Sequence, residues 1–272
     1  MSDRQTLSPK HPTILSFSGP DAVRFLNGQV TQDVSALGEQ ALPACVTDAK
    51  GRLQYYVKLF AGQDKDALWI TCPQERSDGL RERLERYLIA DDVEVDDLTN
   101  QWACVHASDH DASSAFSRKS LGCFGDGFDC WWRAQDLPQI ESIDESQAES
   151  LRIAARIPVW GKELTEGMLP PEAGLDKNSI SYQKGCYIGQ EVLSRIKTAG
   201  KLNRRLAAFT ITGDTSDGDM LILDSKEVGH LTSSSPLQAL GYLKKSGFDG
   251  SVFSITDGEG DTKGTAAILG WV

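Results

Sequence analysis

The chain has 272 residues, 40% hydrophobic and 25% charged, with a formal net charge of −11. That length exceeds a typical single domain, so two domains or one elaborate domain are expected. The acidic balance argues against non-specific nucleic-acid binding, which rests on neutralising phosphates. No apolar run reaches the roughly 20 residues of a membrane helix, and Met1-Ser2-Asp3-Arg4-Gln5-Thr6 holds no apolar leader segment. The expectation is a soluble, cytoplasmic protein with no membrane partner. Six cysteines (Cys45, Cys72, Cys104, Cys123, Cys130, Cys186) contain no C-x-x-C pair. With only four histidines, no zinc spacing appears, so neither disulfides nor a metal centre are expected.

In chain order, Thr13–Phe17 reads as a strand, broken by Ser18-Gly19-Pro20-Asp21 before a helix that ends near Gly28. Strands are predicted at Ala44–Thr47, Leu53–Phe60 and Ala67–Thr71, the first two joined by the turn Asp48-Ala49-Lys50-Gly51-Arg52. Pro73 opens a predicted helix through Leu80, Leu84, Tyr87, Leu88 and Ile89, with Glu82, Arg83, Glu85 and Arg86 on its outer, charged face. Val93–Val95 and Trp102–His106 are further strands, and Gln147–Arg156 is helical. Residues 109–146 carry no clear pattern beyond an apolar island at Phe128–Trp132. From Leu206 onward, short β-type runs alternate with Gly/Asp/Ser turns, the texture of a small antiparallel barrel.

The densest chemistry lies in Ser181-Tyr182-Gln183-Lys184-Gly185-Cys186-Tyr187-Ile188-Gly189-Gln190-Glu191. Lys184 is suited to ligand carboxylates, Gln190 and Glu191 to a hydrogen-bonding heterocycle, and Tyr187 to stacking. The same residues also suit a tight turn whose polar groups satisfy one another. Cys186 beside Lys184 is a candidate reactive thiol or a transient cluster contact, and equally an ordinary packing residue. Asp48, Lys50 and Arg52 place charge on a turn, where function concentrates and where charge is also commonplace. Lys184–Arg205 holds six cations against Glu191 alone, which reads as an anion or weak RNA surface or as a solvated face.

Lys184–Glu191 resembles the K-G-C-Y-x-G-Q-E signature of the folate-binding YgfZ-like proteins, a branch of the glycine-cleavage aminomethyltransferase superfamily. Phe25-Leu26-Asn27-Gly28-Gln29-Val30-Thr31-Gln32-Asp33-Val34 is similar to that family's F-L-x-G-Q-x-T-x-D-V element. Asp48–Arg52 resembles its D-x-K-G-R/K turn. Val228-Gly229-His230-Leu231-Thr232-Ser233 resembles the G-x-V-T-S strand of its barrel. These elements occur in the family's order between Thr13 and about Tyr242.

The resemblance implies an α+β fold, with an aminomethyltransferase-like folate-binding body over residues 1–203, shortened around 109–146, and a C-terminal antiparallel β-barrel over 204–272. It implies tetrahydrofolate as cofactor and an accessory role in iron–sulfur cluster assembly or repair. Iron–sulfur client enzymes or assembly factors are then the partners, and tRNA modification depends on them. Lys184 and Arg195 are assigned to anion binding, Gln190 and Glu191 to orienting the site, and Tyr187, Asp48 and Lys50 to cofactor contacts. Cys186 is the candidate thiol.

Two departures matter. Leu53-Gln54-Tyr55-Tyr56 lacks the acid of the aminomethyltransferases, so that reaction is not expected. Ala154-Ala155-Arg156 replaces a glutamate–small–glycine run that contacts the pterin. The alternatives are a folate-dependent one-carbon transferase that has recruited another acid, and a folate-independent protein- or RNA-docking module.

Overall fold

The structure, a computed structural model, describes residues 4–63 and 67–272. Met1–Asp3, part of the segment read for a leader, lie outside the described residues. No described helix is long and apolar enough to cross a membrane.

The first half of the chain builds two antiparallel sheets. Strands β1 (Thr13–Ser18), β2 (Leu42–Thr47), β3 (Leu53–Ala61), β4 (Leu68–Cys72) and β5 (Glu94–Asp97) form one, in the order β2-β3-β4-β1-β5. Strands β6 (Trp102–Ala107), β7 (Phe116–Gly122) and β8 (Gly125–Arg133) form the other, in the order β6-β8-β7. Period-2 alternation assigns the faces. Leu15, Phe17, Val57, Leu59 and Ile70 pack with Phe25 and Leu26 of helix α1 (Ala22–Gln29) and with Leu80 and Leu84 of helix α2 (Ser77–Glu85). On the opposite face, Ile14, Phe60 and Trp69 meet Trp102 and Trp131 of the second sheet.

A charged pair, Lys58 with Asp129, bridges the two sheets. Lys58 donates to Asp129 Oδ2 at 2.8 Å and to Ser120 Oγ at 2.7 Å, while His106 Nδ1 lies 2.8 Å from Asp129 Oδ1. Burial pushes the Asp129 carboxyl up, but Lys58 and His106 together hold it well below the usual carboxylate range.

Helices α3 (Glu145–Ala154) and α4 (Gln190–Ala199) flank a loop-rich segment that leads to the barrel. The barrel strands are β9 (Arg204–Gly213), β10 (Met220–Leu223), β11 (Lys226–Ser234), β12 (Gln238–Lys244), β13 (Val252–Thr256) and β14 (Thr262–Trp271). They close in the order β10-β11-β12-β9-β14-β13, every pair antiparallel. Along β9, Ala207, Phe209 and Ile211 fill the barrel. Leu206 and Ala208 face the other way and pack on Cys45, Leu53, Leu164 and Met168. The α+β body and antiparallel barrel expected from the sequence are both present.

A buried ionic knot pins the barrel to the body. Glu163, 1% exposed, accepts from Arg152 Nη1 (2.9 Å), Ser233 Oγ (2.5 Å), Thr232 Oγ1 (3.0 Å) and the Val159 amide (3.0 Å). Thr232 and Ser233 close the barrel motif singled out in the sequence, so that motif's polar pair serves this junction.

Several expectations change. The helix expected from Pro73 to Ile89 is confined to Ser77–Glu85, and Ile89 is 88% exposed. Arg83, expected on that helix's outer face, is buried. The patternless 109–146 region contains the β7–β8 hairpin, and helix α4, unread in the sequence, starts within the glycine-rich signature.

Candidate functional site

Three sequence-distant segments meet at the N-terminus of α4. Thr31 Oγ1 donates to the Ser179 carbonyl at 2.5 Å and accepts from the Cys45 amide at 2.9 Å. The Ser181 amide in turn donates to the Thr31 carbonyl at 2.9 Å. Thr47 Oγ1 donates to the Ile188 carbonyl at 2.6 Å. Gly51 and Gly189 then bring two turns into backbone contact. A Cβ on Gly189 would lie 2.5 Å from the Asp48 carbonyl oxygen and 2.9 Å from Gly51 Cα. Gly189 has φ +88 and Gly51 φ +70, conformations that glycine adopts without the Cβ penalty. The 25–34, 48–52 and 184–191 motifs therefore form one continuous surface.

The candidate residues divide by what already occupies them. Lys184 Nζ donates to the carbonyls of Asn27 (2.5 Å), Val30 (2.7 Å) and Gln32 (2.8 Å) and lies 5.0 Å from the Tyr187 ring centroid. Its three protons are spent on main-chain acceptors, so here it staples the 27–32 turn to the signature and presents no free ammonium to a ligand. This redirects the anion-binding role expected of it. Burial lowers its pKa to about 8. Asp48 Oδ1 accepts from the Lys50 and Arg52 amides at 2.8 and 2.9 Å, closing its own turn. Lys50, Cys186, Glu191 and Arg195 are exposed and Gln190 is half-buried. Their side chains make no hydrogen bond or ion pair among the described residues.

Tyr187 is buried with Ile180, Leu193 and Tyr182. The hydroxyls of Tyr182 and Tyr187 are buried with no hydrogen-bond partner. Burial raises both pKa values, that of Tyr187 to about 12, so each hydroxyl keeps its proton at neutral pH and remains a donor.

Two further groups escaped sequence reasoning. Buried Arg83 donates to Gln54 Oε1 (2.7 Å), Gln29 Oε1 (3.1 Å) and the Thr47 carbonyl (3.1 Å), fixing the strand that leads into the Asp48 turn. Tyr182 lies in the polar 181–191 stretch, four residues before Cys186, and its sequence position alone assigns it no role. Arg156, in the run that departs from the superfamily pattern, turns toward the Leu269 carbonyl of β14. The Lys184–Arg205 stretch is not one free basic face. Lys184 is held by carbonyls, Lys197 lies 3.8 Å from Asp176, Arg204 pairs with Glu172, and Arg205 stacks on Trp271.

No family model matches the chain. The tRNA-modifying protein YgfZ of Klebsiella pneumoniae is 31% identical over 232 residues, covering 75% of this chain and 70% of that protein. The chain belongs to the YgfZ-like family. A homolog of the mitochondrial iron–sulfur cluster assembly factor IBA57 from Cryptococcus neoformans is 25% identical over 276 residues, covering 85% of this chain and 71% of its own length. A putative chloroplastic transferase of Arabidopsis thaliana is 26% identical over 272 residues, and the chain spans 62% of its length. Among solved structures, the glycine cleavage system aminomethyltransferase T of Bartonella henselae superposes with a TM-score of 0.80. That match covers 97% of this chain and 84% of the other at 15% identity, a likeness of fold. This YgfZ-like chain thus carries the aminomethyltransferase architecture with Gln54, an amide engaged by Arg83, in the stretch where the transferase acid was sought.

Proposed function

We propose that this chain is a tetrahydrofolate-binding accessory protein that supports iron–sulfur cluster assembly or repair and, through iron–sulfur enzymes, tRNA modification. The observation that carries the ligand half of this reading is the pair of buried, partnerless donors at Tyr187, within the family signature, and Tyr182, two residues before it. An unpaired buried hydroxyl costs about 1–3 kcal/mol, and a heterocycle with carbonyl and ring-nitrogen acceptors would relieve it. The donor set fits a folate in this respect. Ala154, exposed at the end of α3, contributes no acceptor for the pterin's own N–H groups, so recognition falls to other residues.

In this reading Tyr182 and Tyr187 donate to the heterocycle, and Lys184 holds the floor of the site by its three carbonyls. Gln190 and Glu191, at the start of α4 and without protein partners, orient the ligand. Arg195, one turn further on, and Lys50 meet its carboxylates. A reduced folate supplies one-carbon chemistry when bound. Cys186, exposed beside these groups, is the thiol that meets a cluster or a redox partner. A single thiolate does not hold a cluster, so that contact is transient. The names of the YgfZ and IBA57 relatives support the cellular half of the reading.

The test is complementation in cells lacking their own YgfZ-like protein, scoring an iron–sulfur enzyme's activity and tRNA modification. The expected result is restoration by this chain and weaker restoration by Cys186→Ser. Failure of the unmodified chain to restore either readout contradicts the role, and full restoration by Cys186→Ser removes the thiol from it.

A further inference from the structure

On the barrel side of the Asp48 turn lies an open cleft of 460 Å³ between the body and the barrel. Arg52 enters it from the turn, Asn203, Arg204 and Lys244 from the barrel side, and Glu172 and Met168 from the connecting segment. Three of these six side chains are cations, in a chain whose net charge is −11.

The Arg204 guanidinium is held on two sides. Its Nε donates to Glu172 Oε2 at 2.8 Å, and its guanidinium carbon stacks 4.6 Å over the Tyr242 ring. Tyr242 is itself anchored through its hydroxyl on the Glu163 carbonyl at 2.9 Å, within the buried junction. The two terminal nitrogens of Arg204 have no hydrogen-bond partner among the described residues. A fixed guanidinium plane with two free N–H pairs is a preformed fork for a carboxylate or a phosphate. Arg52 is exposed and makes no side-chain ion pair, while its backbone is fixed by the Asp48 carboxylate. Lys244 Nζ uses one contact, to exposed Glu227 at 2.6 Å.

We propose that this cleft binds a small organic anion carrying two or more carboxylate or phosphate groups. The volume matches a small-molecule site, which typically runs from about 300 to 1,000 Å³. Three cations lining one open cleft on an acidic protein favour a compact ligand over a nucleic-acid backbone, which needs an extended basic track. Arg204 sets the orientation of one anionic group, and Arg52 and Lys244 neutralise a second.

The inference stands independently of folate, because the probes contain no pterin. Calorimetry with citrate and, separately, with pyrophosphate is expected to give a Kd of about 1 mM or tighter for at least one. Arg52→Gln and Lys244→Gln, both at exposed positions, are each expected to weaken that binding about tenfold. Lys119→Gln, the same charge change on β7, serves as the control. Citrate alone binding assigns a carboxylate ligand, pyrophosphate alone a phosphate ligand, and both the shared oxyanion chemistry. No binding of either at about 10 mM, or equal losses in all three variants, overturns the proposal.

Discussion

Gly51 and Gly189 lie back to back. Each has positive φ, and the space a Cβ would need on Gly189 is filled by the Asp48 carbonyl and by Gly51 itself. This contact, made by two residues without side chains, joins the charged turn after β2 to the signature before α4. The geometry of the candidate site therefore rests on backbone approach more than on any ion pair.

Gly189→Ala is expected to destabilise the fold by at least about 1–3 kcal/mol, combining left-handed strain with a backbone clash. Gly185→Ala, at a position with nothing within 4 Å of its Cβ and no positive φ, is expected to stay within about 0.5 kcal/mol of the original. Urea midpoints of the two variants test this. Equal midpoints would mean that the two turns are not in contact.

Lys184→Met removes the donor from three main-chain carbonyls and is expected to cost about 1–3 kcal/mol or more in the absence of any ligand. A lysine kept only for anion binding would show no such loss. Chemical denaturation of the ligand-free protein separates the two roles.

Glu163→Ala leaves Arg152 with Glu149 as its remaining carboxylate and strips Ser233, Thr232 and the Val159 amide of their shared acceptor. Leaving these buried donors unpaired is expected to cost about 1–3 kcal/mol. Limited proteolysis across Gly200–Asn203, between α4 and the barrel, is expected to accelerate in the variant. An unchanged cleavage rate and midpoint would contradict a stabilising junction.

Glu149 gives the pH dependence. Hydrogen bonds from Arg152 first, and Lys162 after it, hold its carboxyl at about 2, below the ordinary 4.5, while burial opposes them. The folded value is the lower one, so the unfolded chain takes up the proton first as pH falls. The stabilisation is complete above about pH 4.5 and is lost progressively down to about pH 2. Its size is about 2 kcal/mol after allowing for solvent screening of a partly exposed group. Denaturation across that window is expected to show a shallower slope for Glu149→Gln, and identical slopes would refute the assignment.

Much of this was legible in the sequence because it is written in local pattern. Alternation marks β1, β3 and β9, Pro20 and the residues after it mark α1, and turn residues space the barrel strands. The joining of the site motifs was legible only as a resemblance. The rest depends on main-chain atoms and tertiary partners. Nothing in the spacing of Lys184 reveals that three carbonyls around Asn27–Gln32 surround its ammonium. Arg83 has exposed charged neighbours at Glu82, Glu85 and Arg86, and only the acceptors at Gln29, Thr47 and Gln54 draw it inward. The β7–β8 hairpin is built from Ser, Gly and Asp-rich sequence whose alternation is masked, with Trp131 supplying its anchor in the inter-sheet core.

The measurement that bears most directly on the central claim is anaerobic calorimetry of tetrahydrofolate against the chain and its Tyr182→Phe/Tyr187→Phe variant. Both hydroxyls lack partners in the free protein, so the variant is expected to be no less stable than the original. The account predicts a Kd of about 1–10 µM for the original and a loss of about tenfold or more in the variant. Absence of binding by the original chain, or equal affinity in the variant, would contradict it.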